Sequence, residues 1–320
     1  MKVGRFIAKR LLSTLCTLFV LSLFIFLLIH LTPGDPARIL LGADASDESV
    51  EMVREELGLN KPIIQQYISW ILNALHGDLG KSYTRNASVL EAIASSFAPT
   101  MVLSIWALIL SVGIAIPLGV FAANRKGKIS DSGVIAFSLI GISIPSFLMS
   151  LILVLVFSVC IKVLPVAGYK TIRDYGFATH IRYIILPVIS LSLMQAAVLT
   201  RMTRSSMIDV INNDYINTAK AKGLRNNIVL YKHALKNAMI PILTTIGQTF
   251  ATLLSGAAVV ETVFGIPGIG QLIVSSVTKR DYPVIQGIVL VISLIYVLIN
   301  LIIDFLYGLI DPRMRISGSK

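Results

Sequence analysis

Charge is what this chain has least of. Only 14% of its 320 residues are Asp, Glu, Lys or Arg, where a soluble domain carries about a quarter. The shortage is unevenly spread: no charged residue occurs in 11–34, 92–124, 132–161, 183–200, 237–260 or 282–303. Each run can hold the roughly 20 residues that cross a hydrocarbon layer of about 30 Å, with 183–200 short enough to need its flanks. Lipid offers no partner for an open backbone N–H or C=O, so such runs must be helices. A soluble fold is excluded, and six transmembrane helices are expected.

Other absences narrow the chemistry. The two cysteines, Cys16 and Cys160, sit inside apolar runs with no CxxC or ligand spacing, and read as packing residues. The four histidines, His30, His76, His180 and His233, are dispersed, without an H-E-x-x-H pair, and there is no G-x-S-x-G. "HGDLGKSY" imitates the end of a phosphate-binding loop, but the required earlier glycine is replaced by Leu75, so a turn is expected there. No carboxylate or histidine lies centrally in the later runs, as proton relays and coupling-ion sites would require. Glu261 and Asp304 fall at run edges, where interfacial anchoring is expected. The chain thus lacks catalytic, metal and cofactor sites, and lacks an energy source of its own.

What is present is asymmetric. The N-terminus, with Lys2, Arg5, Lys9 and Arg10 before an apolar run, looks like a signal peptide, but the run is too long and lacks a small-x-small cleavage site, so it is the first span. With the N-terminus inside, segments 1–10, 125–131, 201–236 and 304–320 hold 17 basic and 5 acidic residues, against 11 and 12 outside. The net charge of +11 therefore gathers on one side, as the positive-inside bias predicts, and needs no nucleic-acid partner. A polytopic membrane protein with both termini in the cytoplasm is expected. Its parts are 1–34 (N-terminus and first span), an extracytoplasmic region 35–91, a core 92–310 containing a cytoplasmic loop 201–237, and a tail 311–320.

That loop is the most organised polar stretch. "DYINTAKAKGLRNNIVLYKHALKN" sets Lys220, Lys222, Arg225, Lys232 and Lys236 against Asp214. Tyr215, Thr218, Ala219 and Lys222 share one helical face, small enough for a partner's close approach. Gly223 suits the position just past a helix end, where positive φ is cheap for glycine. Beyond it, Ile228, Tyr231, Leu235 and Ala238 or Met239 form an apolar stripe feeding the fifth span. Two roles fit this pattern: a helix pair lying on the inner leaflet, or a helix that docks into a cytoplasmic protein. Among uncharged polar residues in the spans, Gln195, Thr245, Gln248 and Thr252 are candidates for a translocation pathway, although interhelical hydrogen bonding would explain each of them as well.

The loop resembles the cytoplasmic EAA loop of ABC importer permeases. Ala219, Gly223 and Leu235 match in register, while Asn217, Thr218, His233 and Lys236 depart from Glu, Ala, Ile and Pro. "TAKAKGL" followed by "HALKNAMIP" is how the dipeptide, oligopeptide and nickel permeases write it. The same B-type subfamily is resembled by "HLTPGDPA" (30–37), "LGLNKPIIQQYISWILNALHGDLGKSY" (57–83), "SIPSFLMS" (143–150), "LPVAGY" (164–169), "VVETVFGIPGIGQLIVSSVTKRDYPVIQG" (259–287) and "DPRMR" (311–315). The resemblance implies an all-α, type I importer transmembrane domain that pairs with a homologous permease as a heterodimer. It implies one or two cytoplasmic ATPases that hold the ATP and Mg, and an extracytoplasmic solute-binding protein. Asp214, Thr218, Ala219, Ala221, Lys222, Gly223, Leu224 and Leu235 would couple to the ATPase. The substrate would be di- or oligopeptides, or within the same family glutathione, nickel or a metallophore. A secondary transporter and a membrane scaffold are the rivals from other classes.

Overall fold

The computed structural model describes the backbone of residues 2–31, 35–42, 44–85 and 87–310, and the side-chain surroundings of 12–27, 35–42, 44–85 and 87–303. Among the described residues there is no strand, only an isolated antiparallel bridge between Lys81 and Ser88. The helices are α1 (Lys2–Leu31), α2 (Pro36–Leu41), α3 (Asp47–Glu56), α4 (Ile63–Leu75), α5 (Val89–Asn124), α6 (Ile129–Ser143) and α7 (Ser146–Cys160). After these come α8 (Ile172–Ile211), α9 (Asp214–Ala221), α10 (Asn226–Gly256), α11 (Ala258–Val263), α12 (Ile269–Thr278) and α13 (Tyr282–Ile310).

Four stretches are long and apolar enough to cross a membrane among the described residues: Val89–Asn124, Phe177–Ile211, Asn226–Gly256 and Tyr282–Ile303. The short run 183–200 does recruit its flanks, lying inside a 35-residue helical stretch. The run 132–161, expected to be one span, is instead two helices, α6 and α7, bent by 96°. Ile144 has extended backbone (φ −88°, ψ 115°), because the ring of Pro145 disfavours helical geometry in the residue before it. Counted as one span, the pair makes a fifth. Helix α1 is 30 residues long, and its described part is apolar. Cys16 and Cys160 are not packed inside the chain as expected; both are exposed on outward faces of α1 and α7.

The chain divides into two compact units. The first comprises residues 1–98 and 268–298. Its core joins Leu79, Val89, Ile93, Leu272, Val284 and Ile288. At its edge Asp281, fully buried, accepts hydrogen bonds from the Ser82 hydroxyl (2.5 Å), the Tyr83 amide (3.0 Å), and the Thr84 hydroxyl (2.8 Å) and amide (3.3 Å). The phosphate-loop lookalike is thus a turn, and its donors close around a carboxylate of the same chain. Burial, with the Asp281 charge beside it, pushes the neighbouring Tyr83 phenol up to about 12.

The second unit comprises 99–267 and the part of α13 from Ile299. One core packs Leu103 and Ala107 of α5 against Ile184 and Leu191 of α8, Leu253 of α10, and Phe264 with Ile266 after α11. Glu261, expected to be an interfacial anchor, is instead completely buried beside this core, and the Thr100 hydroxyl donates to it at 2.6 Å. Burial is tolerable because the carboxylate is hydrogen-bonded. Asp304 lies outside the residues whose side chains are described.

Small residues set how closely the helices cross. A Cβ at Gly119 would lie 2.5 Å from Cβ of Thr203 and 3.0 Å from the Thr200 carbonyl; one at Gly141 would lie 2.8 Å from Cβ of Ala197. Helices α5 and α6 therefore meet α8 backbone to backbone. Near that end Arg204 of α8 grips Asp131 of α6 through two nitrogens (2.5 and 2.8 Å), and the Gly127 amide donates to the same carboxylate at 2.9 Å. Asn226 also reaches Asn124 (3.3 Å), so the segments after α5 and α8 lie at the same end of this unit.

Two outcomes are expected. Gly119→Ala overpacks the α5–α8 crossing and should destabilise by about 1–3 kcal/mol, lowering the melting temperature in detergent. Gly113→Ala, on an open face of the same helix, should leave it unchanged or higher. Removing the carboxylate with Asp281→Ala should speed hydrogen exchange at the Tyr83 and Thr84 amides by roughly ten- to a hundredfold, since charged hydrogen bonds contribute about 1.5–3 kcal/mol each.

Candidate functional site

The loop between α8 and α10 is built outward from a buried anchor. Ile216 of α9 is fully buried and Ala219 nearly so, at 0% and 8% exposure. They join Val120 and Ala123 of α5, Met207 of α8, and Val229, Leu230, Ala234, Ala238 and Ile242 of α10 in a second apolar core. Burying Ile216 contributes about 1.5–3 kcal/mol. Ala219, expected to face a partner, faces the chain's own core instead, because a helix this short needs an inward stripe to stay folded. Its outer side keeps Asp214, Tyr215, Thr218, Ala221 and Lys222 exposed. The Thr218 hydroxyl is turned back to the Asp214 carbonyl (3.0 Å).

The turn after α9 is closed by its own backbone. The Gly223 amide donates to Lys220 (2.9 Å) and the Leu224 amide to Ala219 (3.4 Å), with Gly223 at φ +75°. This double closure is a Schellman motif, and it needs a left-handed residue at the Gly223 position. No side chain stands near Gly223, so its requirement is conformational, not steric.

Beyond the turn, the expected apolar stripe is rotated. Val229, Leu230, Ala234 and Ala238 face inward, whereas Ile228 and Tyr231 are 40% and 51% exposed; Leu235 is half-buried. The reason is a π-helical turn over Val229–Ala234. Its wider winding breaks the 3.6-residue period on which the expectation rested. Tyr215, Leu224, Ile228 and Tyr231 are exposed in and beside the turn, interleaved with Lys220, Lys222, Arg225 and Lys232. Sequence periodicity alone does not reveal this mixed apolar and basic surface.

The four pathway candidates do not share one environment. Gln195 of α8 is buried, while Gln248 and Thr252 of α10, expected to be buried, are exposed. Thr245 is half-buried on the same side of α10 as those two, at helical spacing. The Thr245 hydroxyl donates to Pro241 (2.9 Å) and the Thr252 hydroxyl to Gln248 (2.9 Å). The face continues through exposed Ser255, Val259 and Thr262. It is an uncharged stripe of small and polar groups, with no convergent ligand set. No group of three or more potential metal ligands occurs among the described residues.

Comparison with known proteins places this geometry. Residues 115–316 match the family described as "Binding-protein-dependent transport system inner membrane component", and 3–104 match its membrane-component N-terminal family. The chain is 44% identical over 313 residues to a probable peptide ABC transporter permease of Sinorhizobium fredii, covering 98% of this chain and 100% of that one. It is 42% identical over 310 residues to the glutathione transport system permease of Escherichia coli K12, covering 97% and 98%. Among solved structures, the inward-facing MetNI methionine ABC transporter matches with a TM-score of 0.58 over 69% of this chain and 97% of that one. At 17% identity, that likeness is one of fold. The chain belongs to the binding-protein-dependent transport system inner membrane component family and is a multi-pass permease subunit of an ABC transporter.

Proposed function

We propose that this subunit forms half of the translocation pathway of an ATP-driven peptide importer and takes its driving force through the loop centred on Gly223. In this account it has six spans: α1, α5, the bent pair α6 with α7, α8, α10 and α13. Both termini are cytoplasmic and 35–91 lies on the outer side. A homologous permease completes the pathway, a solute-binding protein delivers the substrate, and one or two cytoplasmic ATPases hold ATP and Mg.

One observation carries the coupling role: the short helix α9 presents an exposed mixed surface while its inner side is sealed into the core that joins α5, α8 and α10. A docked partner could grip Leu224, Ile228 and Tyr231 with apolar contacts and meet the flanking lysines with carboxylates. Because cores are close-packed and resist compression, a push on α9 would move the helix ends together instead of being absorbed locally. The fixed Schellman turn would keep the angle of push constant. Asp214 and Lys220 stand at the helix ends that suit their charges.

Peptides as cargo are supported by the relatives, one named for a peptide and another for glutathione, itself a tripeptide. The uncharged stripe of Thr245, Gln248 and Thr252 suits weak contacts that tolerate varied side chains. Nickel or metallophore import within the same family is the alternative.

Two variants test coupling in reconstituted vesicles with the full set of subunits. Gly223→Val strains a left-handed position by about 1–2 kcal/mol and should leave ATP hydrolysis but depress ATP-dependent uptake. Leu224→Asp should weaken retention of the ATPase during purification. Normal uptake by the first, together with full ATPase retention by the second, would remove the loop from the mechanism.

A further inference from the structure

Helix α4 falls in the stretch expected to form an extracytoplasmic cap, yet its contacts lie along the middle of α1. The Tyr67 hydroxyl shares a hydrogen bond with the Ser22 hydroxyl at 2.8 Å. Its ring packs edge-on against Phe19 and Phe26, with centroids 6.5 and 5.4 Å apart, and Trp70 lies 6.0 Å from Phe26. Ser22, Ile25 and Phe26 are correspondingly the buried positions of the described part of α1. Counted from Arg10 at about 1.5 Å per residue, Ser22 stands roughly 18 Å and Phe26 roughly 24 Å along α1. In a hydrocarbon layer of about 30 Å, both depths fall within the leaflet farther from the N-terminus.

The three sides of α4 differ in a way that fits such a depth. One side carries Tyr67 and Trp70 against α1. A second carries Ile64, Ile68, Leu72 and Leu75, at i, i+4, i+8 and i+11, which are 73%, 48%, 50% and 78% exposed. The third carries Gln66, Ser69 and Asn73, which line a cleft of about 1430 Å³ in the same unit. No charge occurs from Ile63 to Leu75; Lys61 lies just before the helix, and Asp78, Lys81 and Arg85 lie beyond it.

We infer that α4 is an in-plane helix embedded in the outer leaflet, its aliphatic side in lipid acyl chains and its polar side forming a wall of the cleft. The occupant of the aliphatic side is lipid because the helix is free of charge and is held at the depth of Ser22 and Phe26 on a span whose Leu15, Val20 and Phe24 are likewise exposed. A helix docking a protein in water would not need to lie at the depth of Ser22. The aromatic pair then acts as a latch between the span and the in-plane helix, and the Ser22 hydroxyl, itself donating to the Phe19 carbonyl (2.8 Å), gives the Tyr67 hydroxyl a partner that hydrocarbon could not. The inference needs α1 to span the membrane but is independent of the cargo and of the coupling loop.

Nitroxide scanning of the assembled transporter in phospholipid nanodiscs tests it. With Cys16 and Cys160 replaced by serine, single labels go in at Ile64→Cys, Ile68→Cys and Leu72→Cys, and at Gln66→Cys, Ser69→Cys and Asn73→Cys. Labels at Leu15→Cys and Phe24→Cys calibrate the lipid-facing signal. The first three should show an oxygen-to-nickel-chelate accessibility ratio several-fold above the second three and near that of the α1 labels. Chelate access at all six would put α4 in water and overturn the inference. Low access to both reagents at the first three positions would also overturn it, since a protein partner would then cover the stripe.

Discussion

Backbone polarity in hydrocarbon is the constraint from which the rest of this structure follows. A chain that runs twenty residues without charge must close its own hydrogen bonds, and it does so in helices such as α1 (30 residues), α5 (36 residues) and the 35-residue part of α8 from Phe177. Once helices are imposed, their association cannot rest on the hydrophobic effect, because lipid is as apolar as leucine. Close approach takes its place: Gly119 against Thr200 and Thr203, and Gly141 against Ala197. The buried carboxylates among the described residues are each given a partner: Glu261 by Thr100, Asp131 by Arg204, and Asp281 by the 82–84 turn.

The same constraint shapes the surface around α9. The loop helix α9 is too short to be stable alone, so it borrows the ends of α5, α8 and α10 through Ile216 and Ala219. What stabilises it also ties it mechanically to three membrane helices. Its exposed side is then free to be specialised, and the π-helical turn over Val229–Ala234 turns Ile228 and Tyr231 outward beside Leu224. Local winding thus decides which residues can meet a partner.

Much of this was legible in the sequence, for identifiable reasons. Charge-free runs located the long helices because the length of a span is fixed by bilayer thickness. Gly223 announced a turn because a left-handed residue is chemically distinctive, and the family motifs marked the permease. The errors have physical causes too. Pro145 lies in an uninterrupted apolar run, so hydropathy could not see the 96° bend. The apolar stripe near Tyr231 was assigned on a 3.6-residue period that the π turn breaks. Glu261 looked superficial because its sequence neighbours end an apolar run, whereas α11 turns it into the core. The clamp on the 82–84 turn joins residues about 200 positions apart, beyond the reach of any local pattern.

The most direct test of the central claim is a photocrosslinker placed at Leu224 in the tagged chain, activated in native membranes and analysed by mass spectrometry. The account predicts an adduct with a cytoplasmic ATP-binding subunit, with a yield that changes when nucleotide is added. Adducts confined to lipid would contradict it, leaving the basic loop as a surface helix on the inner leaflet and the permease without a mechanical connection to its motor.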